Sequence, residues 1–464
     1  MSNKWKPTSR KRQKRHLIKK SVASLMLLNM LCLSALPATM VFAEKTNKQA
    51  TTTTKTSQAP VAGSIQKPDL NVLSAVLIEP TTGQVLLSVN ADQPLPPASM
   101  TKMMTEYIVA EQVKQGKLKW TDKVTVGENA AKTIGSRIFL AQGDVHTVEE
   151  LYIAMAVGSA NDASIALAER VAGSEQEFVK LMNETAKQMG MKTAHFINAT
   201  GLDKKDMPAK YQPDTDKEDV MSAMDAAILG RRIVLDHPDF AKFTSIQSYK
   251  FRERDKTPII NYNWMLEANK NIPNFKAYAY KGLDGLKTGH TQNAGNCFTG
   301  TAVRDGMRLI SVVMGTDSEA HRFTETRKLL DFGFDHFEIK QVVAGKSKVK
   351  GLDTVPVKKG VETSVGVVTD SDVSFIVPKG GEVKGVQFKT QLEPEDKLVA
   401  PINKGTKVGT ITYTYKAEGM DQQQTKTVNL VTSEEVEKGS WIRLFFRAIK
   451  EMFADLFDSI KNLF

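Results

Sequence analysis

Residues 96–107 read PPASMTKMMTEY. Two prolines precede a serine, a lysine follows three positions later, and apolar residues then recur at helical spacing. At a helix start, positions i and i+3 share a face, so the Lys102 ammonium can reach the Ser99 hydroxyl. The helix N-terminus also favours negative charge developing there. A serine hydroxyl is a weak nucleophile and needs a base. Lysine can act as one only where desolvation or a nearby cation depresses its pKa toward neutrality. The same quadruplet also reads as a helix cap beside a solvated charge, and four residues alone do not separate the two.

Context does more. Ser-x-x-Lys occurs three times, at Ser64–Lys67, Ser99–Lys102 and Ser347–Lys350. The first lies in a Thr-, Lys- and Gln-rich stretch and the third in a Lys-rich loop between strands; only Ser99 is placed to start a helix. Downstream, MAVGSANDASIALAE holds Ser159 and Asn161 on a turn between two helical stretches. A hydroxyl and an amide there can extend a proton network and hold a substrate amide. The segment LDGLKTGHTQNAG carries Lys287, Thr288 and Gly289 on a strand. That strand offers a cation, a hydroxyl and a glycine that lets a substrate lie against the backbone, as an added β-strand.

The order Ser-x-x-Lys, Ser-x-Asn, Lys-Thr-Gly resembles that of penicillin-binding proteins and class A β-lactamases. More of the chain is similar to one group, the low-molecular-mass penicillin-binding proteins that act as D-alanyl-D-alanine carboxypeptidases. The blocks that carry the likeness are SRIFLAQGDVHTVEELYIAMAVGSANDAS, FVKLMNETAKQMGMKTAHFINATGL, NYNWML, LDGLKTGHTQNAG and GMRLISVVMGT, in that order. They span about Leu70 to Phe337, and APINKGTKVGTI resembles part of the group's C-terminal domain.

The resemblance implies an acyl-enzyme on Ser99, with Lys102 as base and Ser159 and Asn161 in proton transfer and peptide positioning. Lys287, Thr288, Gly289, His290 and Arg322 would form the binding side, with Lys287 and Arg322 reading the substrate's terminal carboxylate. The Ser99 and His290 amides would be the oxyanion donors. The implied substrate is a peptidoglycan stem ending in D-Ala-D-Ala, with β-lactams as covalent inhibitors and no metal or cofactor. An endopeptidase or β-lactamase on the same fold, or a non-catalytic wall-binding protein, are the alternatives. The "ExxLN" setting of a lactamase's water-activating glutamate is absent: EFVKLMN puts Val179 four residues before Asn183. A β-lactam adduct should therefore clear slowly.

Periodicity around these strings predicts an antiparallel sheet with helices, and the resemblance implies that 70–337 is an α/β (α+β) penicillin-binding, transpeptidase-like domain. SAVLIEPTTGQVLLSVN reads as a hairpin, with further strands at 282–288, 296–303 and 307–315. Helices are expected near Met100–Glu111, Thr147–Ala172, Glu175–Met189 and Glu319–Phe332. From 338 to 432 the Val-, Lys-, Thr- and Gly-rich composition predicts a small all-β domain. In VGTITYTYKA, Val408, Thr410, Thr412 and Thr414 alternate with Ile411, Tyr413 and Tyr415.

At 464 residues the chain allows two or three domains. Its net charge of +11 suggests nucleic acid only until its location is read. Nine Lys and Arg precede the apolar run SVASLMLLNMLCLSALPATMVFA, and without them 54 cations face 52 anions. Residues 1–43 thus match a secretory signal peptide, 44–69 a disordered tether, and nucleic acid is not an expected partner. Past the signal, Cys297 is the single cysteine, in a strand-like stretch that suits a buried thiol. Residues 433–464 are expected to form an amphipathic membrane-anchor helix. From Trp441 to Phe464, large apolar residues fill one helical face, and Arg443, Arg447, Lys450, Glu451, Asp458 and Lys461 lie opposite. That is the pattern of a helix lying on a membrane surface, so an extracytoplasmic, surface-anchored protein is expected.

Overall fold

The computed structural model describes residues 65–461 apart from Gly419 and Asp421. The expected signal segment and the tether as far as residue 64 lie outside the described residues. The last part of the expected tether, 65–69, is engaged. Ile65 packs against the core, and Lys328 Nζ donates to the Asp69 carbonyl (3.0 Å).

The catalytic-type domain is built on a five-stranded antiparallel sheet. Its strands, in spatial order, are Gln84–Val89, Ser74–Glu79, Met307–Thr316, Gly295–Arg304 and Leu283–Thr291. Alternation along the strands separates two apolar layers. Ala75 and Leu77 join one core with Phe298, Val313 and helix Glu319–His336; Val76 and Ile78 join another with Cys297, Val312 and helix Ala223–Asp236. The hairpin between strands Gly295–Arg304 and Met307–Thr316 closes on Asp305 and Gly306, both with positive φ (48° and 78°), the pair a type I′ turn requires.

The helical block follows its caps. Thr147 and Glu150 form a reciprocal capping box that starts Val148–Gly158. The periodicity over 147–172 does not become one helix, because Ser159 takes a left-handed conformation (φ 53°) and a second helix, Asn161–Ala172, begins after it. Ser174 caps Glu175–Met189, the helix expected there. The helix expected over Glu319–Phe332 continues to His336 and runs directly into the strand Phe337–Val343.

The β-rich region contains a five-stranded sheet and a two-stranded ribbon that pairs Phe337–Val343 with Val373–Pro378. Phe332, Phe334 and Phe337 share one buried cluster with Val373, Phe375 and Ile411, so apolar packing joins the two regions. In strand Lys407–Tyr415 the alternation holds for Ile411, Tyr413 and Tyr415, which are buried. It fails at Val408, expected on the threonine face but buried: the register against the neighbouring strand shifts there, and a bulge turns the side chain inward.

Candidate active site

Ser99 lies on a single 3-10 turn, Ala98–Thr101, that leads into helix Lys102–Lys114, rather than on the α-helix itself. Ser99 is half-buried and Lys102 fully buried. Lys102 Nζ donates to Ser99 Oγ (2.9 Å) and to the Thr200 carbonyl (2.6 Å). Burial first, and the Lys287 cation second, hold the Lys102 ammonium well below the usual lysine range. The solvated-charge reading of Lys102 is therefore excluded.

The Thr200 carbonyl is itself anchored. Asn198 Oδ1 accepts from the amides of Thr200 (2.9 Å) and Gly201 (2.7 Å) and from Thr200 Oγ1 (2.8 Å). Asn198 Nδ2 donates to Asp219 Oδ2 (2.9 Å), and Asp219 Oδ1 accepts from the Ile197 amide (2.8 Å). Sequence reasoning assigned none of these residues a role. The Asn-x-Thr-Gly string inside HFINATGL was the available signal, since an asparagine that bonds its own backbone two residues on makes such a turn.

Ser159 and Lys287 form the opposite wall. Lys287 Nζ donates to Ser159 Oγ (2.9 Å) and to the Thr288 carbonyl (3.1 Å). Lys287 and Thr288 are buried. Burial lowers the Lys287 pKa, Glu106 opposes that shift and Arg322 adds to it. Asn161 Nδ2 donates to the Ile134 carbonyl (2.6 Å), and its buried Oδ1 has no protein partner, which leaves an acceptor for a substrate amide. His290, next on the strand, is exposed, with Nδ1 3.2 Å from the Gly295 carbonyl.

Two glycines bring these segments together. A Cβ on Gly289 would stand 2.6 Å from the Pro97 carbonyl oxygen and 3.2 Å from the Met100 nitrogen. The expectation gave this glycine's space to the substrate; the Ser99 turn occupies it. On the other side, a Cβ on Gly201 (φ 79°) would stand 1.9 Å from the Ala98 oxygen. Arg322 is 2% exposed and donates through Nη1 to the Gly289 carbonyl (3.2 Å), so it is not a solvated helix charge. Cys297 is fully buried, and burial pushes its thiol up to about 11, which leaves little thiolate at neutral pH. Among the described residues, no group of three His, Cys, Asp or Glu is placed to share a metal ion.

Residues 61–318 match a family model described as D-alanyl-D-alanine carboxypeptidase, and residues 337–438 one described as penicillin-binding protein 5, C-terminal domain. The chain belongs to the D-alanyl-D-alanine carboxypeptidase family. It is 35% identical over 376 residues to the Bacillus subtilis carboxypeptidase DacF, covering 81% of this chain and 88% of that protein. It is 36% identical over 355 residues to Haemophilus influenzae DacA, covering 75% and 82%. A crystal structure of PBP3 from Streptococcus pneumoniae, described as a peptidoglycan synthesis regulatory factor, superposes with a TM-score of 0.68. That pair is 31% identical and covers 80% of this chain and all of the other. The family's activity, D-Ala-D-Ala carboxypeptidase, and its fold are thus those read from the sequence. The endopeptidase, β-lactamase and wall-binding alternatives gain no support.

The tight seat of Gly289 makes a direct prediction. Gly289→Ala must push the Lys-Thr-Gly strand away from the Ser99 turn. D-Ala release from a pentapeptide is expected to fall by about 100-fold in kcat/KM, the loss that a misplacement of about 1 Å brings, with far-UV circular dichroism unchanged. Wild-type kinetics in this variant would show that the close approach is not needed.

Proposed function

We propose that Ser99 is the nucleophile and Lys102 its base, a reading carried by the 2.9 Å contact between Lys102 Nζ and Ser99 Oγ with the lysine fully buried. In the neutral amine the bond reverses, and the Ser99 O–H donates to the Nζ lone pair. Ser99 Oγ attacks the carbonyl carbon of the penultimate D-alanine and its proton passes to Lys102. The tetrahedral oxyanion is held by the Ser99 and His290 amides. Collapse breaks the peptide bond, and the departing D-alanine nitrogen takes a proton relayed through Ser159, whose hydroxyl is held by Lys287. Water then hydrolyses the Ser99 ester. Asn161 Oδ1 accepts from the stem-peptide amide. Lys287, Thr288 and Arg322 favour the terminal carboxylate, Arg322 through its charge behind the Gly289 carbonyl. A β-lactam enters by the same attack; its opened ring stays attached, and the adduct clears slowly.

The protein acts outside the cytoplasm after loss of residues 1–43, held to the membrane surface by its last helix. Helix Trp441–Lys461 exposes Trp441, Ile442, Phe445, Phe446, Met452 and Phe453. Its Arg447 donates through both Nη atoms to the Gly360 and Val361 carbonyls (3.0 Å each), so the β-rich region touches its polar side. Among the described residues, no helix is long and apolar enough to cross a membrane.

Three measurements test these assignments. Ser99→Ala is expected to abolish both D-Ala release and covalent labelling by fluorescent penicillin in a folded protein; a variant still labelled would end the assignment. Arg322→Ala should hurt a peptide ending in D-Ala-D-Ala acid far more than its terminal amide. Equal losses on both would remove Arg322 from carboxylate recognition. Truncation from Gly439 should release a soluble enzyme that still cleaves a small pentapeptide. Each large side chain taken from water into lipid contributes about 1.5–3 kcal/mol, so the exposed face is ample as an anchor. A truncated protein that still sediments with membranes, its signal peptide removed, would place the anchor elsewhere.

A further inference from the structure

The segment 133–140 lies against the turn that carries Ser159 and Asn161. The Ile134 carbonyl accepts from Asn161 Nδ2 (2.6 Å), the Ser136 carbonyl accepts from the Asn161 amide (2.7 Å), and Ser136 Oγ donates to the Gly158 carbonyl (2.7 Å). Further along, the amides of Ile138 and Leu140 both donate to one oxygen of the Asp162 carboxylate (3.1 and 3.0 Å). Asp162 directly follows Asn161 in helix Asn161–Ala172. Arg252 holds the same bend through the Ile138 and Phe139 carbonyls. Phe139 is thus the apex of a bend pinned to the residue next to Asn161.

Amides that converge on one anion around a bend do so with left-handed backbone in it, and Phe139 supplies that conformation (φ 56°). Glycine serves at such a position without strain; a bulky residue is an outlier there. Burial does not offset the strain. Phe139 is 71% exposed, while Ile138 and Leu140 on either side are buried. The Arg137 guanidinium stands 4.8 Å from the ring centre and is itself tied to the Thr133 carbonyl (2.8 Å). Ile134, on the same segment, is also exposed. A single exposed apolar side chain is ordinary on a protein surface. One displayed from a glycine-type position, beside the turn that holds Ser159 and Asn161, points to a ligand.

We propose that Phe139 is a specificity-determining residue whose ring receives the side chain of the third stem residue, the one before D-Ala-D-Ala, and that it selects a long aliphatic side chain there. The inference rests on the roles given above to Ser99 and Asn161. With Asn161 Oδ1 accepting from the stem-peptide amide, the residue on the acyl side of the penultimate D-alanine passes beside the turn to which Asp162 pins Phe139. An aromatic face takes methylene groups by apolar contact and dispersion.

The test compares D-Ala release from N-acetyl-L-norleucyl-D-Ala-D-Ala and N-acetyl-L-alanyl-D-Ala-D-Ala by wild type, Phe139→Gly and Phe139→Leu, with thermal unfolding followed in parallel. Wild type should favour the norleucine peptide by about tenfold in kcat/KM, the lower end of what an apolar contact of this size gives. Phe139→Gly should bring that ratio to about one by weakening the norleucine peptide, chiefly through KM. It should not lower Tm, because relief of the strained φ offsets the freedom that glycine adds to the unfolded chain. Phe139→Leu should keep part of the preference. A Phe139→Gly enzyme that keeps the wild-type ratio, or loses activity equally on both peptides, would overturn the proposal, as would a wild type indifferent to the two. A marked fall in Tm in Phe139→Gly would also overturn it, by showing that the ring serves the fold. A wild type that releases D-Ala from neither peptide and is not acylated by benzylpenicillin would instead overturn the site assignment beneath it.

Discussion

A lysine side chain with no water around it must find acceptors inside the protein, and Lys102 has two: the Ser99 hydroxyl and the Thr200 carbonyl. The rest of the site follows from that requirement. The carbonyl must be fixed to be useful, and it is fixed by Asn198, which is fixed by Asp219. Asp219 is buried, and burial raises its pKa, yet two amide-type donors oppose that rise. The chain of dependence runs from a backbone turn far along the sequence to the position of one amine. Loosening any link would let the amine leave the hydroxyl, and the helix Lys102–Lys114 would then bury a polar group without a partner.

The sheet contributes position rather than chemistry. Its edge strand Leu283–Thr291 is held in register by the strand beside it, Lys287 opposite Thr299 and Gly289 opposite Cys297. Those partners are buried, so a slip of one residue would turn Lys287 out of the site and Leu286 into it. The Ser99 turn needs the same care. Ala98 sits in a left-handed conformation (φ 49°), unfavourable for a residue with a Cβ, and is held there with the Gly201 and Gly289 segments on either side. Left-handed backbone thus recurs at Ala98, next to the hydroxyl that Lys102 bonds, and at Ser159, whose hydroxyl Lys287 bonds.

The parts legible in the sequence were those whose chemistry sits in side chains at short spacing. Ser99 with Lys102, Ser159 with Asn161, and Lys287 with Thr288 each lie within one turn or strand, and the hairpin and helix periods around them give the elements. What stayed hidden lies in backbone groups and long-range contacts. Thr200 contributes a carbonyl, which every residue has, and it meets Lys102 across 98 positions. Glu106 reads as one more charge on an amphipathic helix until burial is known. Gly289 was read correctly as a close approach, but not to which backbone. Val408 was misplaced because a bulge breaks the period that the alternation argument assumes.

The last helix is held to the β-rich region by a few polar contacts at its start. Helical spacing puts Arg447 and Leu444 on one side and Trp441, Phe445, Met452 and Phe453 toward the other. The Arg447 guanidinium engages two carbonyls of the β-rich region, and the Gly439 amide donates to the Lys359 carbonyl just before the helix begins (2.8 Å). The start of the helix is thus tied down by its polar side. A path across a membrane would bury Arg443, Arg447, Lys450 and Glu451 in hydrocarbon, and among the described residues no helix is long and apolar enough for one. The contacts of Arg447 and Gly439 instead leave Trp441, Phe445, Met452 and Phe453 exposed on the side away from the bonded arginine. A geometry that satisfies the arginine therefore also ties the start of the helix to the β-rich region and leaves its aromatic residues exposed.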